Sequence, residues 1–191
     1  MQIRQLDPQA DRAALRQFFD AIADYVLIER GTPPDAALID EFLTEAPPGC
    51  DPAASSRLGL FDGGKLIAVA EMAIGFPGPT DAYLGFLAVA APARGRGAGV
   101  HLLQHLQEIA RARGAAQMFL AVLDANPRAR AFWERQGFRM ALANGEVTLG
   151  ARTQIAHRLG KPLKRITERK NPPQSDRWPR HCPAAMSDRR R

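Results

Sequence analysis

Six consecutive residues, Arg94-Gly95-Arg96-Gly97-Ala98-Gly99, place three glycines among two arginines. Without side chains, glycines let backbone N–H groups approach a ligand closely. The start of a helix adds about half a positive elementary charge at the same point. A helical pattern does follow, from Val100 to Arg113, and an apolar run from Leu84 to Ala91, closed by Pro92, comes before. The chemistry this arrangement suits is the cradling of a phosphate group. A Rossmann turn does not fit: the third glycine comes too early, and the position about 20 residues beyond Gly99, where an acidic ribose partner belongs, is Phe119, the nearest acid being Asp124. A Walker loop is excluded, because no Gly-Lys-Ser or Gly-Lys-Thr follows. Taken alone, the six residues also read as a plain strand-to-helix turn with solvated arginines.

Glu71 interrupts an otherwise apolar run, Ala70-Glu71-Met72-Ala73. A carboxylate buried there would have its pKa raised toward neutrality and could act as a base. The plainer reading is a solvent-facing strand position or an arginine partner. Asp81 and Tyr83 stand at the entrance of the next apolar run, Tyr83 being a candidate catalytic group or simply a cleft wall. His101 and His105 are four residues apart on one helical face, but no third ligand accompanies them, so solvated positions are expected and no metal. Cys50 and Cys182 lie far apart with no partner at metal-ligand spacing and read as free thiols in a reducing compartment. Arg128, Arg130 and Arg135 crowd a short helix; they could approach an outer phosphate of a bound ligand, a solvated face being the default reading.

These residues need elements to hold them. Ile3 and Leu6 belong to a short opening strand. Asp7-Pro8 reads as the start of one long amphipathic helix carrying Leu15, Phe18, Phe19, Ile22 and Val26, stopped at Gly31. A second helix runs from Asp35 to Glu45 and ends at Pro47-Pro48-Gly49. Arg57–Phe61 and Lys65–Ile74 form a hairpin about Asp62-Gly63-Gly64. Tyr83 to Ala90 is nearly all apolar, as in a strand buried on both faces. After the glycine stretch and its helix come a buried strand, Gln117 to Leu123, a short helix, Ala129 to Arg135, and a final pair, Phe138–Leu142 and a run between Val147 and Leu159. The fold class is α/β: a mixed, twisted sheet of about seven strands flanked by helices.

Charge divides the chain. Residues 160–191 carry ten Lys and Arg against three acids, a surplus of seven, so the overall +6 leaves residues 1–159 near −1. The nearly neutral body lacks the basic face of a nucleic-acid binder. Residues 1–160 are expected to form one domain, and residues 161–191 a flexible basic tail rich in Pro and Arg. The charged first twenty residues do not read as a signal peptide, and no apolar run approaches the roughly 18 residues of a membrane span. A cytoplasmic location is expected.

Phe86-Leu87-Ala88-Val89, Pro92, the spacing Arg94, Gly97, Gly99 and the following helix together resemble the acetyl-CoA-binding segment of the GNAT acetyltransferases. A second segment, Asn126 and then Ala131-Phe132-Trp133-Glu134-Arg135-Gln136-Gly137-Phe138, resembles the part that closes that domain. The resemblance covers roughly Gln2 to Leu159. It implies a GNAT-like acyl-CoA N-acyltransferase fold. Leu87 and Val89 would lie on a strand that splays beyond a bulge and pairs with the pantetheine arm. Residues Gly95 to Val100, with Ala98 and Gly99 between, would receive the pyrophosphate on their N–H groups, helped by Arg94 and Arg96. Asn126 would approach the thiol end of the cofactor or simply cap a helix. Trp133 stands where many members carry a tyrosine acid; indole is no acid at ordinary pH. The implied activity is acetyl transfer from acetyl-CoA to a primary amine of a small molecule or peptide by direct attack, with Glu71 as candidate base. The alternative is a non-catalytic acyl-CoA-binding regulatory module. Members often pair, so a homodimer is compatible with the resemblance.

Overall fold

The computed structural model describes residues 1–163. Cys182 and the expected tail from residue 164 onward lie outside the described residues. A seven-stranded sheet runs in the order β1 (Gln2–Gln5), β2 (Ser56–Asp62), β3 (Lys65–Ile74), β4 (Asp81–Val89), β5 (Gln117–Leu123), β7 (Arg152–Pro162), β6 (Arg139–Leu149). Among the described strands only the β4–β5 pair is parallel; the helix α4 (Ala98–Ala112) makes the crossover between them. Helices α1 (Arg12–Ala21), α2 (Ala23–Arg30) and α3 (Ala36–Thr44) pack on one face of the sheet, and α4 with α5 (Pro127–Arg135) on the other.

Two apolar layers follow from this arrangement. Leu102, Leu103 and Leu106 of α4 recur at helical spacing and meet Leu60, Met72, Leu84 and Leu120 from the sheet. On the opposite face, Leu15, Phe18, Phe19 and Ile22 meet Phe42, Leu66 and Val69.

The long first helix expected from the periodicity is two helices. Asp7 does not cap it: its Oδ1 accepts from the N–H groups of Gln9 and Ala10 in a turn, at 2.8 and 2.7 Å. Asp11 ends that turn, and its carboxylate takes both guanidinium nitrogens of Arg4 at 2.6 Å, tying β1 to the helix start. At Ile22 the backbone leaves helical values (φ −115°, ψ 20°), so α2 departs in a new direction. The apolar spacing continues through the break because Ile22 and Val26 are both fully buried, which is why periodicity alone hides it.

The carboxy-terminal strands also differ from expectation. They form one long hairpin that turns at Gly150-Ala151, within the run expected to be a single strand. β7 continues to Pro162, and Leu163 is buried with its N–H bonded to the Ala116 carbonyl at 2.9 Å. The last strand thus runs past residue 160, where the sequence suggests a boundary. The hairpin tip docks on the end of α2: the Ala151 N–H donates to the Arg30 carbonyl at 3.0 Å, and Gln154 Nε2 donates to the Glu29 carbonyl at 2.6 Å. These bonds satisfy carbonyls that a helix end leaves open.

The packing predicts a sharp contrast along α4. Leu102→Ala should lower unfolding free energy by about 2–5 kcal/mol in urea titrations. His101→Ala, one residue away on the exposed side, should change it by less than about 0.5 kcal/mol.

Candidate active site

The site begins with one extra residue. β3 and β4 pair Met72 with Leu84 and Glu71 with Phe86, so Gly85 is left over as a bulge. An inserted residue bends its strand and reverses which face each following side chain takes. Before the bulge, Ala82 and Leu84 face the α4 core; after it, Leu87 and Val89 do, while Phe86 and Ala88 turn to the α1–α3 core. Pairing of β4 with β5 covers Asp81–Leu84 against Gln117–Leu120 and stops there. Beyond Leu84 the two parallel strands separate, and β5 continues with β7 as far as Leu123. The split opens into a cavity of about 820 Å³, lined on both sides by β4 and β5.

The glycine stretch lies at one end of this cavity. Gly95 and Gly97 have φ of +76° and +82°, and a Cβ on either would meet nothing within 4 Å. Glycine is required there by backbone conformation, and the space beside it is open. Gly97 ends the loop; the first N–H to bond back into α4 is that of His101, to the Gly97 carbonyl at 2.9 Å. The preceding N–H groups at the helix start have no acceptor within the helix. Gly99 is different: its neighbours are Val89, Phe132 and Leu87, at 3.4, 3.5 and 3.8 Å from where a Cβ would sit, so it seats α4 against β4 and α5.

Arg94 does not point freely at this space. Its Nε donates to the Val89 carbonyl at 2.9 Å, and its guanidinium forms a two-pronged pair with Asp24 of α2, one arm at 2.8 Å. Hydrogen bonding with Asp24 raises the arginine pKa and lowers that of the aspartate. Arg94 thereby ties the glycine loop to the helices on the opposite face. Arg96 is exposed and does not line the cavity. Leu87, Val89, Gly95, Gly97, Ala98, Gly99 and Val100 do line it, as do Asn126 and Trp133. Asn126 caps α5, its Oδ1 accepting from the Ala129 N–H at 3.0 Å. Trp133 is buried and packs edge-on to Phe132 and Phe138, with ring centroids 4.8 and 5.5 Å away.

Glu71 reaches the cavity from the α1–α3 face. It is 3% exposed, and neither carboxylate oxygen has a protein hydrogen-bond partner. Burial raises its pKa to about 7. The Ser55 hydroxyl, the Arg57 charge and the Gly85 N–H oppose that rise, but none bonds the carboxylate with normal geometry. Arg57, its cross-strand neighbour, is committed elsewhere: its three nitrogens donate to the carbonyls of Phe42, Pro52 and Glu45 at 2.8, 2.6 and 2.6 Å. Desolvation therefore outweighs the attraction.

Tyr83 and Asp81 lie before the split. Tyr83 is 1% exposed, packs edge-on to Phe76 at 5.1 Å and does not line the cavity. Asp81 accepts the Gly78 N–H at 3.1 Å and pins the turn ahead of β4. His101 is exposed on the outer side of α4, and His105 stands 3.9 Å from Glu108. No group of three or more His, Cys, Asp or Glu able to hold a metal occurs among the described residues, and no described helix is long and apolar enough to cross a membrane.

Sequence reasoning missed a whole wall of the cavity. Tyr25, Glu29 and Arg30 of α2 and Glu41 of α3 line it, together with Glu45 just beyond α3. The Tyr25 hydroxyl donates to Glu29 Oε1 at 2.7 Å, and Arg30 pairs with both oxygens of Glu41. On the opposite side Phe132 of α5 lines the cavity, as do Arg128 and Arg135, two of the three arginines the sequence singles out there; Arg130 does not. The available signal was the position of Glu29 and Arg30 beside apolar residues in a helix, which reads as an ordinary solvated turn until the sheet is in place.

Several solved structures share this fold. An acetyltransferase from Thermus thermophilus matches with a TM-score of 0.66 at 21% identity, covering 84% of this chain and 96% of that one. The ribosomal-protein-S18-alanine N-acetyltransferase from Escherichia coli matches at 0.63 and 22%, covering 89% and 98%. A GCN5-related N-acetyltransferase from Kribbella flavida matches at 0.60 and 26%, covering 84% and 96%. The sequence pattern of the acetyltransferase (GNAT) family matches residues 15–138, and the chain belongs to that family.

The state of Glu71 has a consequence for stability. In the unfolded chain its carboxyl titrates near the ordinary 4.5, and in the folded protein near 7. Between those values the folded state holds the extra proton, so stability falls as pH rises through that window. Glu71→Gln removes this effect. The variant should match the wild type near pH 4.5 and exceed it at pH 8 by on the order of 2–3 kcal/mol in paired urea titrations. Parallel pH profiles for the two proteins would refute the assignment.

Proposed function

We propose that the protein is an N-acetyltransferase that moves an acetyl group from acetyl-CoA to a primary amine by direct attack. The observation that carries this reading is the split between β4 and β5 directly ahead of a glycine-lined helix start. A strand edge freed over several residues suits a chain of amides such as pantetheine, and the open cradle beside Gly95 and Gly97 suits a pyrophosphate. The residues fit the group on both counts.

In this reading the N–H groups from Gly95 to Val100 hold the pyrophosphate, with Ala98 and Gly99 seating the helix start. Leu87 and Val89 form the wall along the pantetheine arm. Arg94 acts through Val89 and Asp24, holding the loop against β4. Asn126 and Trp133 border the cavity at α5, Asn126 keeping that helix end in place. When bound, acetyl-CoA supplies an activated acetyl group and a thiolate leaving group, with a reference thiol pKa near 8.5 that needs no strong acid.

The chain's own contribution to the chemistry centres on Glu71. Its carboxyl, with a pKa of about 7, is half ionised near neutral pH and accepts the proton that an ammonium must lose before it can attack. The α1–α3 face, where Glu71 emerges, is the side from which the amine enters. The backbone edge of β4 freed past Gly85 offers N–H donors to the polarised carbonyl oxygen.

Incubation with acetyl-CoA and a panel of primary amines, read by thiol release and by mass gain of the amine, tests this reading. Turnover is expected to rise with pH to a plateau above about 7, the pKa of Glu71, and Glu71→Gln should lower kcat/KM by about a hundredfold. Gly97→Ala should weaken CoA binding by roughly tenfold or more, because a Cβ enters the cradle and the left-handed φ is strained. Acetyl trapped on the protein in the absence of an amine would overturn direct attack. Tight acetyl-CoA binding with no turnover on any amine would favour a non-catalytic acyl-CoA-binding module.

A further inference from the structure

The wall that faces Glu71 carries more negative charge than its arginines balance. Glu29, Glu41, Glu45 and Glu71 all line the one cavity, as does Arg30. Arg57 stands behind it, opposite Glu71 in the sheet and bonded to the backbone carbonyl of Glu45. On this wall four carboxyls stand near two guanidiniums; the other arginines that line the cavity, Arg94, Arg128 and Arg135, lie on the glycine loop and α5. The two cations of this wall are engaged: Arg30 with Glu41, and Arg57 with three carbonyls.

Two of the carboxyls are under-satisfied. Glu71 is 3% exposed with neither oxygen bonded to protein, and the Oε2 of Glu45 is likewise buried and without a protein partner. Burial carries a cost of several kcal/mol for an ionised group lacking a partner, so such groups mark places where a cation would bind well. The same cavity is also lined by aromatic rings, Phe19, Tyr25, Phe42 and Phe86. Phe86 packs against Phe42, Phe19 and Tyr25, with ring centroids 5.6, 5.9 and 6.1 Å away. Rings beside carboxylates suit a ligand that is apolar along its length and positive at its ends.

We infer that the acceptor is a small dicationic amine, an α,ω-diamine, with the reacting nitrogen at Glu71, an alkyl spacer along Phe86 and a second ammonium at Glu45 and the Glu29–Glu41 pair. This rests on the N-acetyltransferase reading and names its substrate class. The second ammonium also serves the chemistry, since a nearby positive charge lowers the pKa of the reacting nitrogen. The step balances. The reacting ammonium gives one proton to the Glu71 carboxylate. Its lone pair forms the N–C bond to the acetyl carbon as the C–S bond breaks. The second nitrogen proton ends on the departing thiolate. The products are a monoacetylated amine that keeps one positive charge and free CoA thiol, and Glu71 returns its proton to solvent.

The test compares 1,6-diaminohexane with 1-aminohexane on the full chain saturated with CoA, by calorimetric titration, and separately as acceptors with acetyl-CoA. The diamine should bind at least tenfold more tightly and show at least tenfold higher kcat/KM. In Glu45→Gln that diamine-to-monoamine ratio should fall toward one, and the wild-type ratio is decisive by itself should the variant fail to fold. Equal binding of the two amines, or tighter use of a peptide bearing a free amino terminus, would overturn the inference while leaving the N-acetyltransferase reading standing. Selective diamine binding without turnover on any amine would uphold the pocket and defeat the transferase reading instead.

Discussion

Two parallel strands remain paired only while both keep the same rhythm of backbone groups. β4 breaks that rhythm at Gly85, where one residue too many stands opposite β3. Everything beyond depends on it. The bulge lets β4 leave β5 after Leu84, it turns Phe86 toward the helices on one face and Leu87 and Val89 toward α4 on the other, and it gives the cavity its two kinds of wall. A glycine suits the position because it brings no side chain that would have to find a place where the alternation of faces slips.

The two walls differ in polarity for a physical reason. On the α4 side the cavity is lined by glycines at a helix start and by small apolar side chains. On the α1–α3 side, carboxyls project from α2, from the end of α3 and from β3 into a region lined by aromatic rings. Low local polarity raises the pKa values of Glu45 and Glu71 to about 7 and that of Glu29 above its usual range, burial being the main cause in each. The cavity is thus divided between a wall built on a helix start and a wall of carboxyls and aromatic rings. Arg94 joins them, since it holds both the Val89 carbonyl of β4 and Asp24 of α2.

The β6–β7 hairpin gives the acidic wall its rigidity. Its tip bonds the carbonyls of Ile28, Glu29 and Arg30, so the end of α2 is fixed against the far edge of the sheet. The docked helix α2 begins at the break at Ile22 that separates it from α1.

Most strands, the α4 helix and the glycine turn ahead of it are legible in the chain before any fold is known. These are local matters: alternation, helical spacing and turn residues are written within ten or fifteen neighbouring positions. Lys65–Ile74 and Gln117–Leu123 are strands over the spans their residues predict. Other features exist only once distant segments meet. Whether Glu71 is a solvated edge or a buried group depends on Phe86 and Arg57, which pair with it only when the sheet forms. Tyr83 has the makings of a cleft wall, yet it lies ahead of the split, a boundary set by one unpaired glycine. Glu29, Glu41 and Glu45 carry no local sign of importance, because a carboxyl becomes unusual only when other elements remove its water.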